Sequence, residues 1–228
     1  IIGTSYGNEL SFTTTLIDYE GNVYHPVTIG SQVWMVENLK TRKYRDGTTI
    51  PNIINNTDWS NLVTGGYRDY DDVATNSLTY GRLYNWYAVA DARGLCPTGW
   101  HVPDNNEWTT LESFLISNGY NYDGTTIGNK YAKALGATTL WSTSTVAGSV
   151  GNTDYPLYRN KSGFSALPGG IVNSVGGFYV MGSQAWWWSS TPYGGGSGWT
   201  FWIANDRVDA VRGYYTTTNG LTVRCVKD

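Results

Sequence analysis

Few residues in this chain are equipped for catalysis. It has two histidines, His25 and His101, and two cysteines, Cys96 and Cys225. The histidines lie in separate segments, and neither has a serine or cysteine nucleophile pattern beside it. No nucleophile elbow or metal-ligand motif occurs. His101 follows Trp100 in an apolar stretch and reads as a structural histidine. The cysteines are too few and too distant for a metal site, which leaves a long-range disulfide or two buried thiols. A bridge would close a loop of roughly 130 residues and contribute about 4 kcal/mol through loop entropy, less any strain.

The chemistry that remains is recognition. Between Ala185 and Val226 aromatic residues alternate with Asn, Asp, Ser, Thr and Arg, around a glycine-rich turn at Gly194, Gly195, Gly196 and Gly198. Aromatic rings suit the C–H faces of sugars, and amide, carboxylate and guanidinium groups suit their hydroxyls. The candidate ligand-binding residues are Tyr193, Trp199, Trp202, Asn205, Asp206, Asp209, Arg212, Tyr214 and Tyr215. Trp186, Trp187, Trp188 and Trp202 lie in strand-like runs, which favours the core for them. Tyr193, Asn205, Asp209, Tyr214 and Tyr215 fall near turns, which favours exposure. The expectation is a non-enzymatic module that binds a glycan, with a surface protein as the alternative partner. From Ser189 to Gly220 there is no Lys, Glu, Gln, Met or Leu, while Tyr, Ser, Gly and Asn abound. Antibody-like paratopes share that bias, and so does ordinary turn composition. Asp69, Asp71 and Asp72 supply oxygen ligands suited to a structural Ca²⁺ or stand as solvated loop charges.

The composition narrows the setting. Charged residues are 14% of the chain, while Gly (28), Tyr (18) and Trp (11) are abundant. Turns and aromatics with so few charges favour a β-rich extracellular domain over a cytosolic helical enzyme, and favour a disulfide for the cysteines. A net charge of −3 gives no electrostatic footprint for nucleic acid or an anionic membrane. No apolar run approaches the ~18 residues of a spanning segment. The start at Ile1 reads as a removed leader or an excision from something longer.

These residues need elements to hold them. Residues 1–15 read as a linker or a weak first strand, and residues 16–228 as one domain. Asp18–Asn22 reads as a hairpin turn with Val23 to Ile29 as its return strand, and Gln32 to Val36 alternates like a strand. Residues 41–79 form a long loop anchored by Trp59, Tyr67 and Tyr70. Leu83, Trp86, Tyr87 and Ala90 predict a helix over 80–90. Asp104 with Glu107 makes a capping box that opens a helix carrying Trp108, Leu111, Phe114 and Leu115, which Gly119 can end. A third short helix is expected over 129–135, and strands over 185–190, 199–204, 208–214 and 221–226. Strands, helices and strands again give an α+β class in which the chain ends pair.

Several of these segments together resemble a known family. Val27-Thr28-Ile29-Gly30-Ser31-Gln32-Val33-Trp34-Met35-Val36-Glu37-Asn38-Leu39 resembles the opening of the Fibrobacter succinogenes major paralogous domain family. Tyr80-Gly81-Arg82-Leu83-Tyr84-Asn85-Trp86, Gly94-Leu95-Cys96-Pro97 through Trp108, and Gly163-Phe164-Ser165-Ala166-Leu167-Pro168-Gly169-Gly170 are similar to its later motifs. So are Trp187-Trp188-Ser189-Ser190-Thr191 and Val223-Arg224-Cys225-Val226. The resemblance implies exported surface proteins, often lipid-anchored, of Bacteroidetes-like bacteria. The Pro103 to Trp108 segment is also remotely similar to formylglycine-generating enzymes, which implies a C-type-lectin-like domain: short twisted antiparallel sheets, two or three helices and long loops. It also implies a ligand-facing surface over about 191–220, of the kind that diversity-generating retroelements vary. The reactive cysteine pair of those enzymes does not carry over, because no second cysteine lies near Cys225. Asn205-Asp206 echoes one half of a lectin Ca²⁺ site, and the other half is missing.

Overall fold

Asp18 builds the first turn. Its Oδ1 accepts from the Glu20 and Asn22 amides, and its Oδ2 accepts from Asn22 Nδ2 and the Tyr24 hydroxyl, all at 2.8–3.0 Å. Gly21, at φ +83°, completes the reversal. The turn joins Leu16–Ile17 (β1) to Val23–Tyr24 (β2). The computed structural model describes residues 16–228, so the linker expected over 1–15 lies outside the described residues.

The expected return strand divides. Pro26–Ile29 (β3) leaves β2 and pairs with Gln32–Met35 (β4) through a tight turn at Gly30 and Ser31. The long loop contains a short helix, Asn56–Ser60 (α1), capped by Asn55. It also contains Tyr67–Arg68 (β5) and the helix Ala74–Tyr80 (α2).

The helix expected over 80–90 is a correction. Gly81, at φ +81°, ends α2, and a side chain there would collide with Asn38. Leu83–Asn85 (β6) is then a strand buried on both faces, and only Trp86–Val89 (α3) makes a helical turn, capped by the Asn85 side chain. The 3.6-residue spacing was real, but sheet pairing inside the core outweighed it.

Trp100–His101 (β7) precedes Asn105–Ser117 (α4). The capping box forms as expected, with Asp104 accepting from the Glu107 amide and Glu107 accepting from the Asp104 amide. The helix over 129–135 contracts to Ala132–Leu135 (α5), because the Asn129 side chain instead brackets Ala210, bonding both its amide and its carbonyl.

The second half is strands: Gly169–Val172 (β8), Phe178–Met181 (β9), Gln184–Gly194 (β10), Ser197–Ala204 (β11), Val211–Thr216 (β12), Gly220–Leu221 (β13) and Val226–Lys227 (β14). The strand expected over 221–226 is two strands in different sheets, with 222–225 crossing between them. That over 208–214 begins later, at Val211.

The architecture is mixed α+β with antiparallel sheets. The sheet orders are β1-β2, β3-β4-β14-β7, β5-β6-β13-β8-β9 and β10-β11-β12. The ends of the domain do pair: Val226 lies opposite Trp34 on one side and His101 on the other. Beside this junction runs the Cys96–Cys225 disulfide, fully buried.

Alternation along β10 sends consecutive tryptophans to opposite sides. Trp186 and Trp188 join one core cluster with Tyr84, Leu221 and Cys225. Trp187 joins the other with Trp34, Trp108, Phe164 and Phe201. Trp108 stacks on Phe201 at 4.4 Å and 12°. The α4 face is thereby fixed to the three-stranded sheet, the scaffold for the candidate surface.

Candidate functional site

The glycine turn at the tip of the β10–β11 hairpin holds three positive-φ glycines, Gly194, Gly195 and Gly196. Next to it lies a cluster of rings. Tyr193 and Tyr214 stack with centroids 3.9 Å apart and planes 8° from parallel. Trp199 meets Tyr193 edge-on at 5.0 Å. Tyr193 is 46% exposed and Tyr214 54%, so the stacked pair is open to solvent. Ladder register explains the meeting. Trp199 lies opposite Tyr214, and Ser197 opposite Thr216, so these four share one face of the sheet.

The nine residues expected to bind ligand do not form one site. Tyr193, Trp199 and Tyr214 form the platform. Arg212 shares their face but is tied to α4, donating to Thr109 Oγ1 at 2.7 Å and Glu112 Oε2 at 2.9 Å. Trp202 and Tyr215 occupy the opposite face, packed on Trp186 at 4.7 and 4.9 Å, so they line the core. Tyr215 is therefore a correction to its expected exposure, and Trp202 follows its strand-like setting. The reason is the period of two: neighbours in a strand face opposite ways.

Asn205, Asp206 and Asp209 sit in the turn at the far end of β11, roughly 20 Å of strand from Trp199 at ~3.3 Å per residue. Asn205 Nδ2 donates to the Ser142 and Thr143 carbonyls, each at 3.3 Å, which fastens the turn to the neighbouring loop. Asp209 takes both arms of Arg207, at 2.8 and 2.6 Å. Asp206 is exposed.

The acidic cluster is met by arginines. Asp72 takes a two-pronged contact from buried Arg68. Asp69 lies 3.3 Å from Arg82, where burial pushes its carboxyl up and Arg82 opposes the rise. Among the described residues no group of three His, Cys, Asp or Glu side chains is arranged to hold a metal ion.

His101 is engaged at both ring nitrogens, Nδ1 with Asp228 at 2.6 Å and Nε2 with Glu107 at 2.8 Å. Burial pulls its pKa down, but the hydrogen bonds to Asp228 and Glu107 outweigh that, and the net shift is upward. With both ring nitrogens engaged by carboxylates, His101 is held in place by its neighbours, in line with its structural reading.

A buried polar network escaped sequence reasoning. Among the described residues Arg224 has no carboxylate partner; it donates to Asn38 Oδ1 and the Phe164 carbonyl. Its guanidinium also lies 4.2 Å from the Phe164 ring centroid. Burial pulls the guanidinium down to about 9, with Glu37 opposing, which leaves it charged at neutral pH. The only signal in sequence was that Asn38, Phe164, Trp187 and Arg224 each sit in a segment resembling the family.

Comparison with known proteins agrees with those segments. Residues 27–227 match the family model described as Fibrobacter succinogenes major domain. No curated protein and no solved structure matches the chain. No helix among the described residues is long and apolar enough to cross a membrane.

Proposed function

The chain belongs to the Fibrobacter succinogenes major domain family, and for this member of it we propose a non-enzymatic, exported ligand-binding module that grips a glycan through Tyr193, Trp199 and Tyr214. One observation carries the reading: two tyrosines stacked with nearly parallel planes, about half exposed beside the hairpin tip, with Trp199 edge-on against Tyr193, so that an outer ring face and ring edges are left toward solvent. Exposing such rings to water is unfavourable for folding alone, and flat rings are what sugar C–H faces stack upon. Ser197 and Thr216 flank the rings on the same face and offer hydroxyls. The remote resemblance to lectin-like domains points the same way, and the pairing of the chain's ends is compatible with it.

The reading is tested by glycan-array screening followed by titration calorimetry on the best polysaccharide. Tyr193→Ala with Tyr214→Ala is expected to weaken binding about tenfold or more at unchanged melting temperature. Absence of binding to every bacterial, plant and host polysaccharide would refute it, as would undiminished binding by the double variant.

The second reading is a protein-binding adhesin or a retroelement-diversified receptor. The residue bias of Ser189 to Gly220 favours it, as does β12, an edge strand open to pairing. A reverse transcriptase and a near-identical template repeat beside the gene would decide for it.

A further inference from the structure

Away from the aromatic platform, and sharing no residue with it, is a cleft of about 350 Å³ between the first hairpin and α2. That volume is at the small end of ligand sites, where one or two sugar rings fit. Three cations line it, Lys40, Arg42 and Arg82; Glu20 pairs with Arg42 and Asp69 with Arg82, which leaves Lys40 as the cation without an ion-pair partner among the described residues. On a chain whose net charge is −3, this is a local positive excess.

The cations are held differently. Glu20 grips one edge of Arg42, accepting from Nε at 2.9 Å and lying 2.8 Å from Nη2, which positions the guanidinium and leaves Nη1 outside that pairing. Arg82 Nη1 donates to the Lys40 carbonyl, and Arg82 Nε faces Asp69 Oδ1 as a buried ion pair at 3.3 Å. Lys40 Nζ makes no ion pair among the described residues. Asn22 and Thr75 add polar groups, and Leu78, 69% exposed, adds an apolar wall.

We infer that this cleft is a subsite for an acidic sugar: a hexuronate whose carboxylate meets Lys40 and Arg42, whose hydroxyls meet Asn22 and Thr75, and whose ring rests against Leu78. A guanidinium positioned by Glu20 and an ammonium without an ion-pair partner can together meet one carboxylate. The apolar wall distinguishes a sugar ring from a bare anion, which would have no use for it.

The experiment is calorimetric titration of the folded protein with trigalacturonate, its neutral methyl ester, and inorganic sulfate. Trigalacturonate is expected to bind, more weakly as salt rises from ~0.02 to ~0.5 M, and the ester and sulfate at least about tenfold more weakly. Lys40→Gln with Arg42→Gln is expected to abolish most of that binding, and Thr75→Trp to block it by filling the cleft. Both variants should fold with a melting transition like the parent's, less a small loss in the first where Glu20 gives up its Arg42 side-chain partner while keeping the Arg42 amide. Tyr193→Ala with Tyr214→Ala should leave trigalacturonate binding intact, which separates this site from the platform. Equal binding of ester or sulfate overturns the inference, as does no binding of trigalacturonate, or binding that survives the cleft variants.

Discussion

Asn38 Oδ1 accepts from Arg224 Nη2 at 2.8 Å and from Arg224 Nε at 3.1 Å, across 186 positions of sequence. The same oxygen accepts from Trp187 Nε1 at 2.9 Å, and Asn38 Nδ2 donates to the Tyr80 carbonyl at 2.8 Å. One amide thus joins the opening segment, the central segment, β10 and the C-terminal segment. Asn38→Ala takes the acceptor from Arg224 Nε and Nη2 and from the Trp187 indole, leaving the buried cation only the Phe164 carbonyl. The expected loss is about 3–5 kcal/mol, measured by urea denaturation.

The disulfide pins the same junction. Cys96→Ser with Cys225→Ser is expected to cost about 4 kcal/mol, because the unfolded chain regains a loop of 129 residues. Denaturation midpoints before and after reduction measure it, and labelling of two thiols in the native protein would contradict the bridge.

The two neighbouring tyrosines of β12 should behave oppositely. Tyr214→Ala is expected to change stability by less than about 1 kcal/mol, since its ring is on the surface. Tyr215→Ala opens space beside Trp186 and is expected to cost about 2 kcal/mol. Trp108→Ala, at the centre of a five-ring contact, should cost about 3–5 kcal/mol. Melting curves of the three variants rank them.

His101 makes stability pH-dependent with a definite sign. Its folded pKa is raised above the ordinary 6.5, so the folded form binds the proton more tightly than the unfolded chain. The contribution is fully present below about pH 6.5 and is lost as pH rises through the folded value. His101→Gln should therefore lower the melting temperature at about pH 5.5 more than at about pH 8.5. An equal loss at both would show that the two carboxylates do not hold the ring charged.

Gly198 is a packing glycine. A Cβ there would come within 2.3 Å of the Trp86 ring, whose Nε1 donates to the Ser189 carbonyl at 3.0 Å. Gly198→Ala is expected to cost about 1–3 kcal/mol by overpacking, and to quench or shift tryptophan fluorescence as Trp86 moves.

Sequence by itself determined the features that rest on neighbours in the chain. The Asp18 turn, the Asp104–Glu107 capping box, the α4 stripe and the burial of three consecutive tryptophans each depend on residues a few positions apart. Their hydrogen bonds and periodicities can be read locally. The family was legible for a related reason: its segments carry the residues that close the core. Tertiary structure alone decided the rest. It turned the start of a helix-like spacing, Leu83–Asn85, into a buried strand, because β6 found partners in β5 and β13, and left a single helical turn over Trp86–Val89. It split nine aromatic and polar candidates between a platform, a core face and a distant turn, because strand register and facing depend on where the chain reverses and which strand it meets. It also assembled Glu20, Lys40, Arg42 and Arg82 into one cleft from separate segments. Long-range pairing energies set those outcomes, and no local pattern encodes them.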